Sequence, residues 1–106
     1  MCNDLQTLLG ELRQRLHALY GPQLEQLVLF GSQARREAGA GSDVDILVVL
    51  RGAVNAGQEI ARTGSLMADL SLKYDTVVSC LFISSERYAT EESPLLLNVR
   101  REGVAA

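Results

Sequence analysis

Two short apolar runs constrain the fold of this chain more than any other feature. The first is QLVLF over residues 26–30, which ends at a glycine. The second spans Val44–Leu50, is rich in β-branched residues and lies between Ser42 and Arg51-Gly52. An almost wholly apolar run of this length favours a strand that is covered on both faces, and β-branched residues also favour strands. We therefore predict a central strand for the first run and a second strand for the other.

Apolar residues at helical spacing predict helices around these strands. A leucine stripe runs through residues 5–19 and stops at Gly21-Pro22. A short helix is expected over residues 32–37, followed by a loop over 38–42. Asn55 can cap a longer helix that ends near Lys73. The apolar stripe of that helix is expected to consist of Ile60, Gly64, Met67, Leu70 and Tyr74.

The C-terminal part of the chain adds a strand and a helix. Residues 76–83 form the predicted third strand. Ser93-Pro94 supplies a cap and a proline for the start of the last helix, and Gly103 stands at its C-terminal end. Helices and strands alternate without a repeat or a long linker. We therefore expect a single α/β domain over residues 1–106, a small sheet with helices packed on it.

Composition limits the classes of partner. Ten basic residues stand against 13 acidic ones among 106, with a formal net charge of −3, so no stable nucleic-acid binding is expected. Cys2 and Cys80 are far apart in the sequence, which predicts neither a disulfide framework nor a zinc site. No apolar stretch approaches the length of a membrane span, and the first residues do not resemble a signal segment. We expect a cytoplasmic protein without membrane association.

A pair of carboxylates opens the second strand. Asp43 and Asp45 are two residues apart, so strand geometry points both side chains to one face, on which Leu47 and Val49 follow. Two close carboxylates repel each other unless cations intervene, and an all-oxygen site suits Mg²⁺. Phosphoryl transfer with two metal ions needs such a pair. A turn cap at Asp43 and a solvated acid at Asp45 are the structural alternative.

Gly31 and Ser32 lie between the first strand and the short helix. Glycine permits a phosphate to approach the backbone closely, and free N–H groups at a helix start attract its charge. The Ser32 hydroxyl can add a further hydrogen bond. A tight turn with a serine cap would explain this pair on its own. Together with the two acids, this pair favours a phosphate-binding site over a simple turn.

These residues carry a resemblance to a known family. The sequences FGSQAR over 30–35 and SDVD over 42–45, with ten residues between Ser32 and Asp43, closely resemble the signature of the DNA polymerase beta superfamily of nucleotidyltransferases. The resemblance covers roughly residues 24–83. The short chain and the Gly-Ser-x-Ala-Arg form look most like minimal nucleotidyltransferase (MNT) domains, which serve as antitoxins beside HEPN-domain toxins. This resemblance implies the nucleotidyltransferase fold, with a small mixed sheet.

The resemblance also implies roles for single residues. Gly31 and Ser32 would bind the triphosphate of ATP, and Asp43 and Asp45 would bind two Mg²⁺ ions. Arg35 would assist with phosphate charge; its alternative is a place on a solvated helix face.

A third acid usually lies on a neighbouring strand in this family, and Asp75 is the candidate for this metal-binding and catalytic position. If the register lies two or four residues later, the equivalent position is Val77 or Ser79, and the general base is absent. Asp75 would then be only a turn residue at the start of the strand.

Two functions follow from the resemblance. The first is transfer of AMP from ATP to a tyrosine of a cognate HEPN ribonuclease toxin, with release of pyrophosphate, which makes the chain an antitoxin in a hetero-oligomer. The second is a catalytically inactive antitoxin of the same fold that blocks its toxin by binding alone, and a missing third carboxylate would favour it. A small-molecule nucleotidyltransferase is disfavoured, because the chain leaves no length for a domain that binds the acceptor.

Overall fold

The computed structural model describes residues 2–30 and 44–106. In chain order the helices are α1 (Cys2–Tyr20), α2 (Ala56–Tyr74), α3 (Ser85–Thr90) and α4 (Pro94–Glu102), with a 3₁₀ turn at Gly21–Gln23. The strands are β1 (Leu24–Phe30), β2 (Val44–Leu50), β3 (Val78–Ser84) and β4 (Val104–Ala105). The helix predicted over 32–37 and the loop over 38–42 lie outside the described residues.

The four strands form one mixed sheet in the order β3-β2-β1-β4. β1 pairs with β2 and with β4 in antiparallel orientation, whereas β2 and β3 are parallel. The predicted mixed α/β architecture is therefore confirmed, as are the bounds of the second strand and the central place of the first. A two-residue strand such as β4 leaves no periodic signal in the sequence, and it was not predicted.

Each face of the sheet has its own core. Helices α1 and α2 cover one face, where fully buried side chains pack together, among them Leu8, Leu12, Leu16, Ile46, Val48 and Leu70. Helix α4 covers part of the other face, in a smaller cluster made of Val28, Leu47, Val49, Ile83, Leu96 and Val99. Burying one such aliphatic side chain contributes roughly 1.5–3 kcal/mol to folding. Within the described part of the chain, no helix combines the length and apolar character that a membrane span requires.

The buried face of α2 differs from the predicted stripe in the first turns of the helix, whereas Met67, Leu70 and Tyr74 pack against the core as predicted. Ile60 is 54% exposed, while Glu59, Thr63, Leu66 and Leu70 are buried. The apolar spacing was misleading because two polar residues occupy the inner face of the first turns. Their hydrogen bonds explain why this face tolerates them, since a buried polar group without a partner costs about 1–3 kcal/mol.

Glu59 is satisfied by a tyrosine of the neighbouring helix. The Tyr20 hydroxyl donates a buried hydrogen bond of 2.6 Å to Glu59 Oε1, and Arg62 lies 3.6 Å from the same oxygen. Thr63 donates to the Glu59 carbonyl at 2.8 Å. Burial, together with the hydrogen bond to Glu59, raises the pKa of the Tyr20 hydroxyl. This contact links the end of α1 to the start of α2.

Glycines mark the ends of α1 and α4 for different reasons. Gly21 has a φ of 57°, a left-handed conformation that glycine adopts without strain, as the predicted helix stop requires. Gly103 instead has an extended φ of −69°. A Cβ at Gly103 would clash with the Val99 carbonyl oxygen and the Val28 side chain. Close packing of α4 on β1, rather than a positive φ, therefore requires this glycine.

The Tyr20–Glu59 contact yields a stability prediction. Tyr20→Phe leaves the aromatic ring in place but removes the donor to a buried carboxylate. We expect the free energy of unfolding to fall by about 1–3 kcal/mol, measured by urea denaturation. Tyr88→Phe is the matched control, because Tyr88 is half-buried under the guanidinium of Arg100 and keeps that ring contact. Equal stability of Tyr20→Phe and the unaltered chain would contradict this role of the hydroxyl.

Candidate nucleotide-binding site

The structure describes two of the six predicted site residues, Asp45 and Asp75. The other four, Gly31, Ser32, Arg35 and Asp43, lie outside the described residues, and their roles stay predictions. The site can therefore be examined from the two strands that lead into and out of that segment, and from β3 beside them.

The register of β1 and β2 fixes the position of Asp45. Phe30, the last residue of β1, pairs with Asp45 near the start of β2. The pairing is antiparallel, so the chain leaves β1 and enters β2 at the same end of the sheet. The motif that follows β1 and the motif that opens β2 are thus attached to the same end of the sheet. A joint site for phosphate and metal would require this arrangement.

Asp45 points away from the main core. Its neighbours Val44 and Ile46 belong to the cluster under α1 and α2, whereas Leu47 belongs to the cluster under α4. Because side chains alternate along a strand, Asp45 shares the α4 face of the sheet with Leu47 and Val49. Asp45 is half-buried, while Leu47 and Val49 are 2% and 1% exposed. The predicted arrangement, in which the acid lies at the mouth of the sheet and the same face continues into the core, is confirmed for Asp45.

Asp75 lies at the C-terminal end of α2 rather than on a strand. It has a left-handed backbone, with φ 52° and ψ 48°, its N–H donates to the Ser71 carbonyl, and its side chain is exposed. The next residue, Thr76, also donates its N–H to Ser71. The chain therefore completes a turn after α2, and β3 begins at Val78, two residues later than predicted.

The residue of β3 that pairs with Asp45 is Ser79. Val78 and Phe82 are buried in the core under α1 and α2, and Ile83 is buried in the cluster under α4. Ser79 and Leu81 therefore lie on the same face as Asp45, and both are exposed. Of the alternatives that the sequence left open, Ser79 is the one that the strand register brings beside Asp45.

Other features of the described residues lie away from Asp45. A cavity of about 500 Å³ is lined by residues that include Phe82, Ser84 and Arg87, at the opposite end of β2, roughly 20 Å along the strand. Within 2–30 and 44–106, no group of three or more His, Cys, Asp or Glu side chains is placed to hold a metal ion. Burial raises the pKa of the Cys80 thiol to about 12, and Cys80 is partly buried against the core under α1 and α2.

Comparison with known proteins identifies the family. Residues 9–97 match the family model of the nucleotidyltransferase domain. The chain belongs to this family. The matched segment contains most of α1, all of β1, β2 and β3, and the whole stretch from Gly31 to Asp43. The resemblance expected from the two motifs is therefore confirmed at the level of the family. No curated protein matches this nucleotidyltransferase domain at a significant level.

Solved structures share its fold. A chain of a toxin–antitoxin structure with AMP-PNP is 23% identical, with a TM-score of 0.60, over 97% of this chain and 69% of that one. A chain in a complex of a tri-AMPylated Shewanella oneidensis HEPN toxin with an MNT antitoxin is also 23% identical, with a TM-score of 0.55, over 94% and 69%. At this identity the likeness shows a common fold.

The backbone at Asp75 leads to a prediction that separates structure from chemistry. Asparagine tolerates a left-handed conformation, whereas a β-branched residue there is strained. We expect Asp75→Asn to leave the free energy of unfolding unchanged and Asp75→Val to lower it by about 1–2 kcal/mol, as measured by chemical denaturation. A similar loss in both variants would mean that the carboxylate, and not the backbone conformation, stabilises this turn. Asp75→Asn is therefore the variant in which activity can be tested without a change in fold.

Proposed function

We propose that this chain transfers AMP from ATP to a tyrosine hydroxyl of a HEPN ribonuclease toxin, and so acts as the antitoxin of that toxin in a hetero-oligomer. The observation that carries the proposal is the placement of Asp45 in a nucleotidyltransferase domain. Its side chain lies at the end of the sheet where β1 ends and β2 begins, on the face that α4 packs against. Family membership supports the reaction class. The AMP-PNP and the AMPylated HEPN toxin named for the two similar structures support the nucleotide and the partner.

The donor atoms present fit a divalent cation. A carboxylate and a hydroxyl, from Asp45 and Ser79, adjoin each other on one face, and oxygen ligands are those that Mg²⁺ prefers. Asp43 and Asp45 would hold two Mg²⁺ ions, which supply the positive charge that the triphosphate and the leaving pyrophosphate need. By fixing the positions of these cations, the carboxylates would position the α-phosphate relative to the acceptor, and such positioning is the larger part of catalysis in phosphoryl transfer.

The remaining predicted site residues would bind the phosphates of the nucleotide and accept the proton of the acceptor hydroxyl. Gly31 and Ser32 would donate hydrogen bonds to the outer phosphates, and Arg35 would neutralise phosphate charge. The acceptor oxygen forms a bond to the α-phosphorus, the bond from that phosphorus to the bridging oxygen breaks, and pyrophosphate leaves with the electron pair. Asp75 is the proposed third ligand and the acceptor of the hydroxyl proton, which it would take from the turn before β3.

A second candidate function is an antitoxin of this fold that binds its toxin and transfers nothing. The position of Asp75 favours it, because this carboxylate is exposed at a helix end and β3 offers Ser79 beside Asp45. Exposed leucines are available for a contact surface, since Leu95 and Leu97 of α4 are 43% and 45% exposed and Leu19 of α1 is 45% exposed. Apolar side chains of this kind are typical of the centre of protein interfaces.

Transfer of a labelled nucleotide distinguishes the two functions. The chain is incubated with α-labelled ATP, Mg²⁺ and a candidate HEPN partner, and label on the partner is measured over time. We expect Asp45→Asn to slow labelling by at least about 100-fold, because the replaced charge is the one that holds the cations at the reacting phosphate. Asp69→Asn is the matched control, since Asp69 lies on the exposed surface of α2 in a weak ion pair with Arg15.

The labelling of the partner is also measured with Asp75→Asn, which tests whether Asp75 is the third carboxylate. Labelling that depends on Asp45 and not on Asp69 supports the transferase, and a further loss in Asp75→Asn assigns the third carboxylate. Tight binding of the partner without label in any variant would contradict the transferase and leave the antitoxin that acts by binding alone.

A further inference from the structure

The outer edge of β3 lies open to a further strand among the residues that the structure describes. β3 is the first strand in the sheet order β3-β2-β1-β4, so only its inner side pairs, with β2. The Val44 N–H donates to the Val77 carbonyl. Because backbone groups alternate between the two sides of a strand, the odd-numbered residues of β3 bond to β2 and the even-numbered ones point outwards.

Two of the outward backbone groups already have partners. The Val78 N–H donates to the Ser71 hydroxyl at 3.1 Å. Ser84 is the N-cap residue of α3, and the carbonyl of an N-cap residue accepts the first hydrogen bond of its helix. The donors left for a further strand are the N–H groups of Cys80, Phe82 and Ser84, and the acceptors left are the carbonyls of Val78, Cys80 and Phe82.

A second copy of β3 matches these groups in one antiparallel register. When two copies pair about Leu81, the middle residue of β3, Cys80 lies opposite Phe82 and Val78 lies opposite Ser84. Each remaining N–H then meets a remaining carbonyl, and the two groups that already have partners face each other. A register centred on Cys80 or on Phe82 would instead leave a backbone group unmatched, which is costly in a buried contact.

The side chains of β3 also permit this contact. Leu81 is 41% exposed, and on the two-fold axis it would meet its own copy with about 4.5 Å between the Cα atoms, where side chains lie closest. Natural edge strands are usually protected by charged residues, proline or bulges. β3 has no charged residue and no proline, and its register with β2 runs without a bulge.

The charges beyond the strand ends are complementary in the same register. Residues 76–85 contain no charged side chain. Continued past the ends of β3, the register sets Asp75 level with Arg87 of the other copy, and Glu86 level with the neutral Thr76. Like charges therefore do not face each other, whereas opposite charges do so twice by symmetry.

We propose that two copies of this chain pair through the outer edges of β3, as a two-fold dimer with an antiparallel contact centred on Leu81. The two sheets then form one continuous sheet. Because the two copies of β3 run in opposite directions, the Asp45 residues lie towards opposite ends of the joint sheet. This inference is independent of the proposed function, since it concerns the strand edge and not the reaction.

Sedimentation equilibrium of the purified chain tests the proposal. We expect a dimer that dissociates on dilution, and we expect Leu81→Lys to raise its Kd at least about tenfold, because like charges directly opposite each other destabilise a strand pair. Leu72→Lys is the matched control, since Leu72 is 83% exposed on α2, and it should leave the Kd unchanged. Circular dichroism and the Tm of each variant verify that the fold persists.

Hydrogen exchange of single amides, followed by NMR, tests the register. The amides of Cys80, Phe82 and Ser84 should exchange slowly in the dimer and faster on dilution. The amides of Leu81 and Ile83 bond to β2 and should exchange slowly at every concentration, which provides the internal control. Leu81→Lys should lose the slow exchange of the first group alone.

Three results would overturn the inference. The first is a folded chain that stays monomeric up to about 1 mM. The second is a dimer whose Kd is the same for Leu81→Lys and Leu72→Lys. The third is slow exchange at Cys80 and Phe82 that appears only when a HEPN partner is added, because the edge of β3 would then bind that partner and not a second copy.

Discussion

The antiparallel pairing of β1 with β2 is the constraint on which the rest of the structure depends. Both strands are buried by helices, and their register brings the end of β1 beside the start of β2. A shift by one residue would turn Asp45 into the core and Ile46 out of it, so burial of the aliphatic residues also fixes where the carboxylate lies. Sheet stability and the placement of the candidate site thus have the same origin.

Among the described residues, the helices cover the two faces of the sheet unequally. α1 and α2 extend over one face and are joined by the buried Tyr20–Glu59 hydrogen bond. The nine-residue α4 covers only part of the other face, where Val28, Leu47 and Val49 are buried. Asp45 and Ser79 lie on this second face, at the end of the sheet where β1 ends and β2 begins.

The sequence was most informative where one physical signal dominated. β2 was predicted to the residue because a run rich in β-branched residues, interrupted only by Asp45, lies between polar residues. The start of α4 was predicted because Ser93 and Pro94 define it. The face of α2 was predicted wrongly only in its first turns, where Ile60 is exposed and Glu59 is held inside by Tyr20, a partner 39 residues away. Further along the helix, Met67, Leu70 and Tyr74 pack against the core as predicted. Asp75 was expected at the start of the third strand. In the structure, a left-handed turn at Asp75 follows α2, so β3 begins only at Val78, and the local sequence does not reveal this turn. For the same reason the sequence left Asp75, Val77 and Ser79 as alternatives for the position of the third acid. Only the strand pairing shows that Ser79 lies beside Asp45.

A crystal structure of the chain with AMP-PNP and Mn²⁺ tests the central claim most directly, because anomalous scattering locates the metal without assumptions about chemistry. The account predicts an anomalous peak within about 2.2 Å of an Asp45 carboxylate oxygen, on the Ser79 side, with the triphosphate next to Gly31 and Ser32. Metal and nucleotide bound elsewhere, for example in the cavity beside Phe82 and Arg87 at the other end of β2, would contradict it.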